Sequence, residues 1–309
     1  MIKYSEIKSV LCCCAELTIQ RRKQRIKFRF NHIEYMKQGF RMEENMKIGF
    51  IGLGNMAKAI IGGMLQNNMV KPGDIVGSAR TEKTLKDVQT QFGIEVRTSN
   101  LAVAEEAEVL VLAVKPQFLQ EVIEEIRDGV KSETLVISIA AGKTLDWLGE
   151  AFGREMKIVR CMPNTPALVG EGCTGVCVNA MVSKEEAEYS IRLMESFGKA
   201  SQVPERLMDA VGAVSGSSPA YVFMFIEAMA DAAVAAGMPR TQAYEFAAQA
   251  VYGSAKLVLE SGKHPGELKD MVCSPGGTTI EGVRILEEKG MRGAVMDALL
   301  ATVEKSKKL

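Results

Sequence analysis

The chain has 309 residues, and its 38 Lys and Arg side chains are balanced by 38 Asp and Glu. This length exceeds the ~250 to 300 residues at which a single core stops growing, so two domains are expected. The balanced charge lacks the electrostatic signature of proteins that bind nucleic acid or an anionic membrane. The longest apolar runs, such as VLVLAV at 109–114, are far shorter than the ~18 residues needed to cross a bilayer, so no membrane segment is predicted.

The seven cysteines form no CxxC pair, and only two histidines accompany them. Zinc-binding spacing is therefore absent, and no metal site is predicted. An odd, unpatterned set of cysteines in a long chain is typical of a reducing compartment, so a cytoplasmic location is expected.

Residues 1–45 differ in composition from the rest, with ten Lys or Arg against five Asp or Glu. The short apolar stretch precedes the basic cluster, the reverse of a secretory signal, and glutamates at 6, 16 and 34 are unlike a transit peptide. We predict a disordered extension, or a mis-assigned start with Met46 as the first residue. A basic segment that binds RNA or an acidic partner is the alternative.

From Lys47 onward, short apolar runs alternate with amphipathic stretches: KIGFIG, AKAIIGGMLQN, DIVGSA, EKTLKDVQTQF, AEVLVLAV, FLQEVIEEI, TLVISIA, LDWLGEAF and KIVRCM. Continuous β-branched runs indicate strands buried on both faces. This predicts an α/β Rossmann-type, doubly wound parallel sheet. Two more runs, TGVCVN and KASQV, could extend it, so the first domain is expected over residues 46–207.

Residues 208–309 have helical spacing throughout and predict an all-α C-terminal domain. The first helix, SPAYVFMFIEAMADAAVAAG, is predicted to have Ser218 as N-cap and Pro219 as first residue, and to stop at Gly237. Gly253 inside the next helix suggests close helix packing. Met, Ala and aromatic side chains lie on more than one face of these helices, so a subunit interface is expected (Met224, Phe225 and Met229 among them).

The segment KIGFIGLGNMAKAI places three small residues, Gly52, Gly54 and Ala57, in a G-x-G-x-x-A pattern between a strand and a helix. Gly52 permits the tight turn, Gly54 lets the backbone approach a pyrophosphate, and Ala57 lets helix and strand pack closely. The N-terminus of the helix offers free N–H groups to the phosphate. This context favours a dinucleotide-binding turn over a merely structural one.

The end of the second strand carries Ser78 and Arg80 where an NAD enzyme has an acidic residue. Hydroxyl and guanidinium groups can bind a ribose 2′-phosphate, which an acid would repel, so NADP is preferred and NAD remains possible. Glu82 is close, and a solvated Arg80 is the alternative.

Two further loops follow strands at the same predicted edge. Lys115 and Pro116 follow VLAV; Pro116 is expected to start a helix, and Lys115 either caps it or faces the cofactor. The loop CMPNTPALVGEG is expected to present Asn164 and Thr165 near the nicotinamide. The predicted cofactor contacts are Gly52, Leu53, Gly54, Asn55, Met56, Ala57, Ser78, Arg80, Asn100, Ala113, Val114, Lys115, Pro116 and Asn164.

The segment VCSPGGTTIEGV interrupts the helical half with a proline and two glycines. Thr278 and Glu281 fit a capping box, and the preceding Gly276 and Gly277 expose backbone N–H groups. The pattern predicts an anion site for a substrate carboxylate. A well-capped helix start without a ligand is the alternative.

Together with SGSSPAYVFMFIEA at 215–228, AVKPQ at 113–117 and MPNTP at 162–166, this segment resembles the pyrroline-5-carboxylate reductase family over residues 46–309. The resemblance implies NAD(P)H-dependent reduction of the cyclic imine 1-pyrroline-5-carboxylate to L-proline, the last step of proline biosynthesis. It makes Thr279 the threonine that bonds the substrate ring nitrogen. It also implies dimers that can assemble further into a ring. The predicted substrate contacts are Ser274, Gly276, Gly277 and Thr278.

Three positions, Ser218, Met271 and Cys273, depart from the usual family pattern. A protonated imine is already a strong electrophile, so the protein needs to orient it and exclude water rather than supply a base. A β-hydroxyacid dehydrogenase shares the plan, but SGSSPAYVFMF lacks that family's lysine. A non-catalytic NADPH-binding regulator is the third candidate.

Overall fold

The structure is a computed structural model that describes residues 46–308, and Lys47–Leu309 form one compact unit. The prediction for residues 1–45 lies outside the described residues. Eight strands form one sheet in the order β3-β2-β1-β4-β5-β6-β7-β8. The strands are β1 Ile48–Ile51, β2 Ile75–Ser78, β3 Glu95–Arg97, β4 Val109–Leu112, β5 Leu135–Ser138, β6 Lys157–Met162, β7 Gly172–Val178 and β8 Gly198–Gln202.

The sheet confirms the doubly wound arrangement and the two extending strands. Strands β1, β2, β4 and β5 are buried at every residue, as their continuous apolar sequences predict. The predicted parallel sheet has one antiparallel pair, because β7 runs antiparallel to β6. A short 3-10 turn, Thr165–Val169, joins these two strands, and only an antiparallel pair can be joined without a crossover.

Helices cover both faces of the sheet. Their bounds are α1 Asn55–Gln66, α2 Glu82–Phe92, α3 Asn100–Glu106, α4 Leu119–Ile126, α5 Leu145–Phe152 and α6 Lys184–Glu195. Residues from α3, α4 and α5 share one core cluster with the strands, while α1 packs against α2 and α6. Thr81 and Thr144 cap α2 and α5, and Gly93 and Gly153 end them in the left-handed conformation.

The short pair β3 and α3 is absent from the predicted elements, because the sequence EVR of β3 has no apolar run. Its charged residues are held instead by ion pairs. Glu95 Oε1 accepts from Lys47 at 2.7 Å, and Arg97 bonds both Glu95 and Glu106 at 2.8 Å. The Lys47 and Arg97 hydrogen bonds hold the pKa of the Glu95 carboxyl below its usual range.

The helical half contains α7 Met208–Val211, a π-helix Gly212–Ser217, α8 Ser218–Ala235, α9 Arg240–Ser261, α10 Pro265–Val272, α11 Thr278–Glu288 and α12 Met291–Ser306. The prediction that Ser218 caps a new helix is wrong. The chain is already helical before it, and the Ser218 hydroxyl donates to the Val214 carbonyl. The predicted stop is confirmed, since α8 ends at Ala235 and Gly237 has φ +97°.

Much of the apolar surface in this half is uncovered. Only Ala243 and Ala247 are buried in α9, and no residue is buried in α11 or α12. A Cβ at Gly253 would meet nothing within 4 Å, so the predicted close packing there is absent among residues 46–308. The larger exposed apolar side chains include Phe223, Met224, Phe246, Tyr252, Leu259, Met296 and Leu300.

One helical segment, Glu205–Ala235, is long and apolar enough to cross a membrane by length and composition alone. The prediction of no membrane segment rested on continuous apolar runs, and in this helix Glu227 and Asp231 interrupt the run while the mean hydropathy stays at 1.2. Only 6% of its most apolar window is buried inside the chain. The same property fits a helix that packs against a second subunit.

Candidate active site

The dinucleotide-binding turn has the predicted geometry. Gly52 adopts φ +94°, and its N–H donates to the Ser78 carbonyl at 3.0 Å. A methyl group there would lie 2.8 Å from the Ala113 carbonyl oxygen, so only glycine fits. Ala57 is 1% exposed between α1 and the sheet. The turn therefore brings β1, β2 and β4 together at one edge.

The first turn of α1 is open to a ligand. Gly54 is the N-cap, and a Cβ on it would meet nothing within 4 Å. Asn55 is exposed and Met56 is half-buried. Leu53 is buried against Gly77, so only its backbone can reach a phosphate. Free N–H groups at a helix start of this kind can bind an anion.

The corner at the end of β2, where a ribose 2′-phosphate is expected, contains the cation of Arg80 and the buried hydroxyl of Ser78. The Arg80 guanidinium lies over the Phe118 ring, 4.9 Å from its centroid. Ser78 is fully buried and its hydroxyl donates to Asn100 Oδ1 at 2.7 Å, while Asn100 Nδ2 donates to Glu125 at 2.7 Å. Ser78 therefore positions Asn100 at this corner rather than facing solvent.

The loop after β4 lies beside the turn. The Ala113 N–H donates to the Ile51 carbonyl at 2.8 Å, and Val114 is half-buried. Lys115 is exposed, and Pro116 begins a 3-10 turn to Phe118, as predicted. This arrangement leaves the Lys115 amine free to approach a bound nucleotide.

Asn164 lies at the end of β6, yet its side chain is only 8% exposed. Its Oδ1 accepts from the Cys173 N–H at 2.8 Å, and its Nδ2 donates to the Ser215 carbonyl at 2.9 Å. The next residue, Thr165, is exposed. The loop thus presents Thr165 to solvent while the Asn164 amide is held inside.

Two buried thiols, Cys161 and Cys177, lie on β6 and β7. Burial raises the pKa of Cys161 above its usual range, and burial with the nearby Glu205 carboxylate raises the pKa of Cys177 to about 11. Both thiols therefore stay protonated at neutral pH and are not nucleophiles. No cluster of metal-ligating side chains occurs among residues 46–308.

The loop before α11 has the backbone expected of an anion site. Gly276 has φ +67°, and the Gly277 N–H donates to the Ser274 carbonyl at 3.0 Å. The predicted capping box is wrong, because Gly277 is the N-cap and the Thr278 side chain caps nothing. Glu281 instead pairs with Arg284 at 2.7 Å, a partner one turn further along the helix.

Thr278 and Thr279 are both exposed in the first turn of α11. In the described residues, α11 packs extensively only against α12, with no comparable contact to the dinucleotide-binding turn. The structure thus gathers the predicted cofactor residues at one edge of the sheet. Among residues 46–308, the helix α11, which carries Thr279, makes no extensive contact with the elements of that edge.

A Rossmann-type sheet with a glycine-rich turn after its first strand, joined to a helical half with a second glycine-rich helix start, is the architecture of a two-part nicotinamide-dependent oxidoreductase. Two family models match this chain: "NADP oxidoreductase coenzyme F420-dependent" over residues 47–142 and "Pyrroline-5-carboxylate reductase dimerisation" over residues 205–309.

Curated relatives and solved structures agree with these matches. The chain is 55% identical to pyrroline-5-carboxylate reductase of Escherichia coli over 85% of its length and 98% of the relative. It is 47% identical to that of Methanosarcina acetivorans, over 86% and 98% respectively. A Plasmodium falciparum pyrroline carboxylate reductase, solved with NADP bound, superposes with a TM-score of 0.78 at 36% identity, covering 86% of this chain and 98% of that one. The chain belongs to the pyrroline-5-carboxylate reductase family.

Proposed function

We propose that this chain reduces 1-pyrroline-5-carboxylate to L-proline, with NADPH as the preferred hydride donor and NADH as a weaker one. The observation that carries the proposal is the Ser274–Thr279 segment, a glycine-rich anion site at a helix N-terminus, in a member of this family that also has an open dinucleotide-binding turn. The family assignment favours this reaction over oxidation of a β-hydroxy acid.

The reaction needs little acid–base chemistry from the protein. Bound NADPH supplies a hydride that forms a C–H bond at the imine carbon, and the C=N electron pair returns to nitrogen. The protonated imine becomes the secondary amine of proline, so no proton has to be delivered during the transfer. The N–H groups near Gly276 and Gly277 hold the substrate carboxylate, and the Thr279 hydroxyl bonds the ring nitrogen.

The cofactor is held by the edge residues described above. The pyrophosphate lies on the Gly52–Ala57 turn, where the α1 N-terminus and its N–H groups stabilise negative charge. Arg80 binds the 2′-phosphate, and Lys115 contributes a second cation near the phosphates. The nucleotide between these groups is lined by Asn100, Ala113, Val114 and Pro116.

We also propose the assembly and location. Residues 46–207 form the NADP-binding domain, and 208–309 form a dimerisation domain, with dimers able to associate into a ring in the cytoplasm. The exposed Thr279 lies away from the cofactor edge of its own chain, while the apolar faces of α9 and α12 are uncovered. We infer that the second subunit supplies the substrate loop to each cofactor site.

The test is initial-rate oxidation of NADPH and NADH by the full chain with pyrroline-5-carboxylate. A Thr279→Ala variant is expected to lose most of the rate, on the order of tenfold or more, because it lacks the hydroxyl that bonds the ring nitrogen. Thr279→Ser keeps a hydroxyl and is the matched control, expected to retain most of the activity.

Other outcomes identify the other candidates. NADPH binding without reduction of the imine would support the regulator. Turnover only with a β-hydroxy acid would support the dehydrogenase. An unaltered rate in Thr279→Ala would remove this residue from the mechanism while leaving the reaction in place.

A further inference from the structure

Asn164 joins two backbone segments that are distant in sequence. It accepts from Cys173 at the start of β7 and donates to Ser215 in the π-helix, 51 residues away. Both polar atoms of a nearly buried side chain are therefore occupied. The amide orientation is determined by these partners, since Cys173 offers a donor and Ser215 an acceptor.

Pro219 removes one main-chain donor near the Ser215 carbonyl. In an α-helix the carbonyl of residue 215 accepts from the N–H of residue 219, four positions later. Proline has no N–H, and its ring clashes with the carbonyl four residues earlier. The chain widens into a π-helix at Gly212–Ser217, immediately before this proline, where the main-chain bonds span five positions instead of four. Pro219 cannot give the Ser215 carbonyl the α-helical bond, and Asn164 Nδ2 gives this buried carbonyl a side-chain donor.

A second contact holds the π-helix against the end of β6. A methyl group on Gly216 would lie 3.1 Å from Met162 Cε, and one on Gly212 would lie 3.4 Å from it. The glycine face of the π-helix therefore packs directly on the end of β6. Single π-turns of this kind are common at functional sites. The end of β6, which borders the nicotinamide in the proposed site, and the start of α8 form one packed unit.

We propose that Asn164 is a positioning residue, which supplies the hydrogen bond that Pro219 withholds from the Ser215 carbonyl and thereby holds the nucleotide-binding and helical halves in their reactive geometry. The inference rests on the proposed function and replaces the direct cofactor contact predicted for Asn164. It requires that loss of the Asn164 amide reduces kcat while NADPH affinity stays the same.

The experiment compares Asn164→Ala, Pro219→Ala and the double variant of the full chain, together with Asn164→Asp. We expect Asn164→Ala to lower kcat about tenfold, because the π-helix is then held less firmly against the end of β6. The Kd of NADPH should change less than about twofold. Asn164→Asp keeps the acceptor for Cys173 but lacks the donor for Ser215, so it should show the same loss of kcat. Pro219→Ala restores an N–H at position 219, so the double variant should regain a large part of kcat.

Amide hydrogen exchange over residues 212–221 measures local opening of the π-helix and the start of α8, independently of catalysis. Exchange should be faster in Asn164→Ala and slower again in the double variant. Additive losses in the double variant, wild-type behaviour of Asn164→Asp, or a rise in the Kd of NADPH at unchanged kcat would each overturn the inference. If the wild-type chain reduces no imine, the proposed function fails, and the exchange data still decide whether Asn164 and Pro219 are coupled.

Discussion

Gly52 and Gly54 are two residues apart, but a methyl group meets different surroundings at each. At Gly52 it would strike the Ala113 carbonyl in a left-handed backbone conformation, whereas at Gly54 it would project into open space. Gly52 is therefore required by the fold, whereas no neighbour among the described residues excludes a side chain at Gly54.

We predict that Gly52→Ala loses about 1–3 kcal/mol of unfolding free energy from the backbone conformation alone, as well as NADPH binding. Gly54→Ala is predicted to stay within about 1 kcal/mol of the wild type in stability. It should nevertheless bind NADPH poorly, because its methyl group occupies the space of the pyrophosphate. Denaturant unfolding and NADPH titration of both variants check this contrast. Normal NADPH affinity in Gly54→Ala would contradict the proposed phosphate position.

Phe118 supports the cation that is proposed to select NADP. Phe118→Leu is predicted to raise the KM for NADPH about two- to fivefold, because the stacking of Arg80 on the ring is lost. Arg80→Ala should raise it further, about tenfold. The KM for NADH serves as the internal control, since NADH has no 2′-phosphate. Equal effects on both cofactors would contradict the role given to this corner.

Among the elements, the 3-10 turn Glu205–Leu207 is tied to the sheet by one carboxylate. Glu205 Oε1 accepts from Arg160 on β6 at 2.9 Å and from the Leu145 N–H at the start of α5 at 2.8 Å. The Arg160 side chain is only 7% exposed. Removal of the carboxylate would leave a buried guanidinium without its ion-pair partner.

Glu205→Ala is predicted to lower the free energy of unfolding by about 3 kcal/mol, because an unpaired buried charge is strongly unfavourable. Glu304→Ala is the matched control: its pair with Lys307 is largely exposed, and less than about 1 kcal/mol should be lost. Denaturation at one fixed protein concentration measures both. Equal losses in the two variants would contradict the argument from burial.

The strands with continuous apolar runs and the glycine turn could be predicted because their signals are local. The capping predictions at Ser218 and Thr278 failed, because Pro219 is accommodated inside a continuing helix and Gly277 already serves as N-cap. The bonds of Asn164 join residues 9 and 51 positions away, and no sequence pattern reports such partners. The sequence thus predicts the cofactor edge of the sheet better than the long-range hydrogen bonds of Asn164.

For the whole molecule, the separation of Thr279 from the cofactor edge makes a prediction about mixed dimers. Gly52→Ala and Thr279→Ala chains are each expected to be inactive as homodimers. Random co-assembly should restore about a quarter of wild-type activity, because half of the dimers then contain one intact site. Rates of the purified, tagged heterodimer measure this. No restored activity in a heterodimer shown to be intact would place each site within a single chain.

Because α9 is sparsely packed, the dinucleotide-binding and helical halves also differ in how far their stability depends on a second subunit. The sheet completes its own core, whereas α9 buries only two alanines within the chain. The stability of the helical half then depends on protein concentration, since each tenfold dilution removes about 1.4 kcal/mol of the free energy that association contributes. The melting temperature of this protein is therefore a property of the solution as well as of the sequence, and dilution should loosen the helices before the sheet.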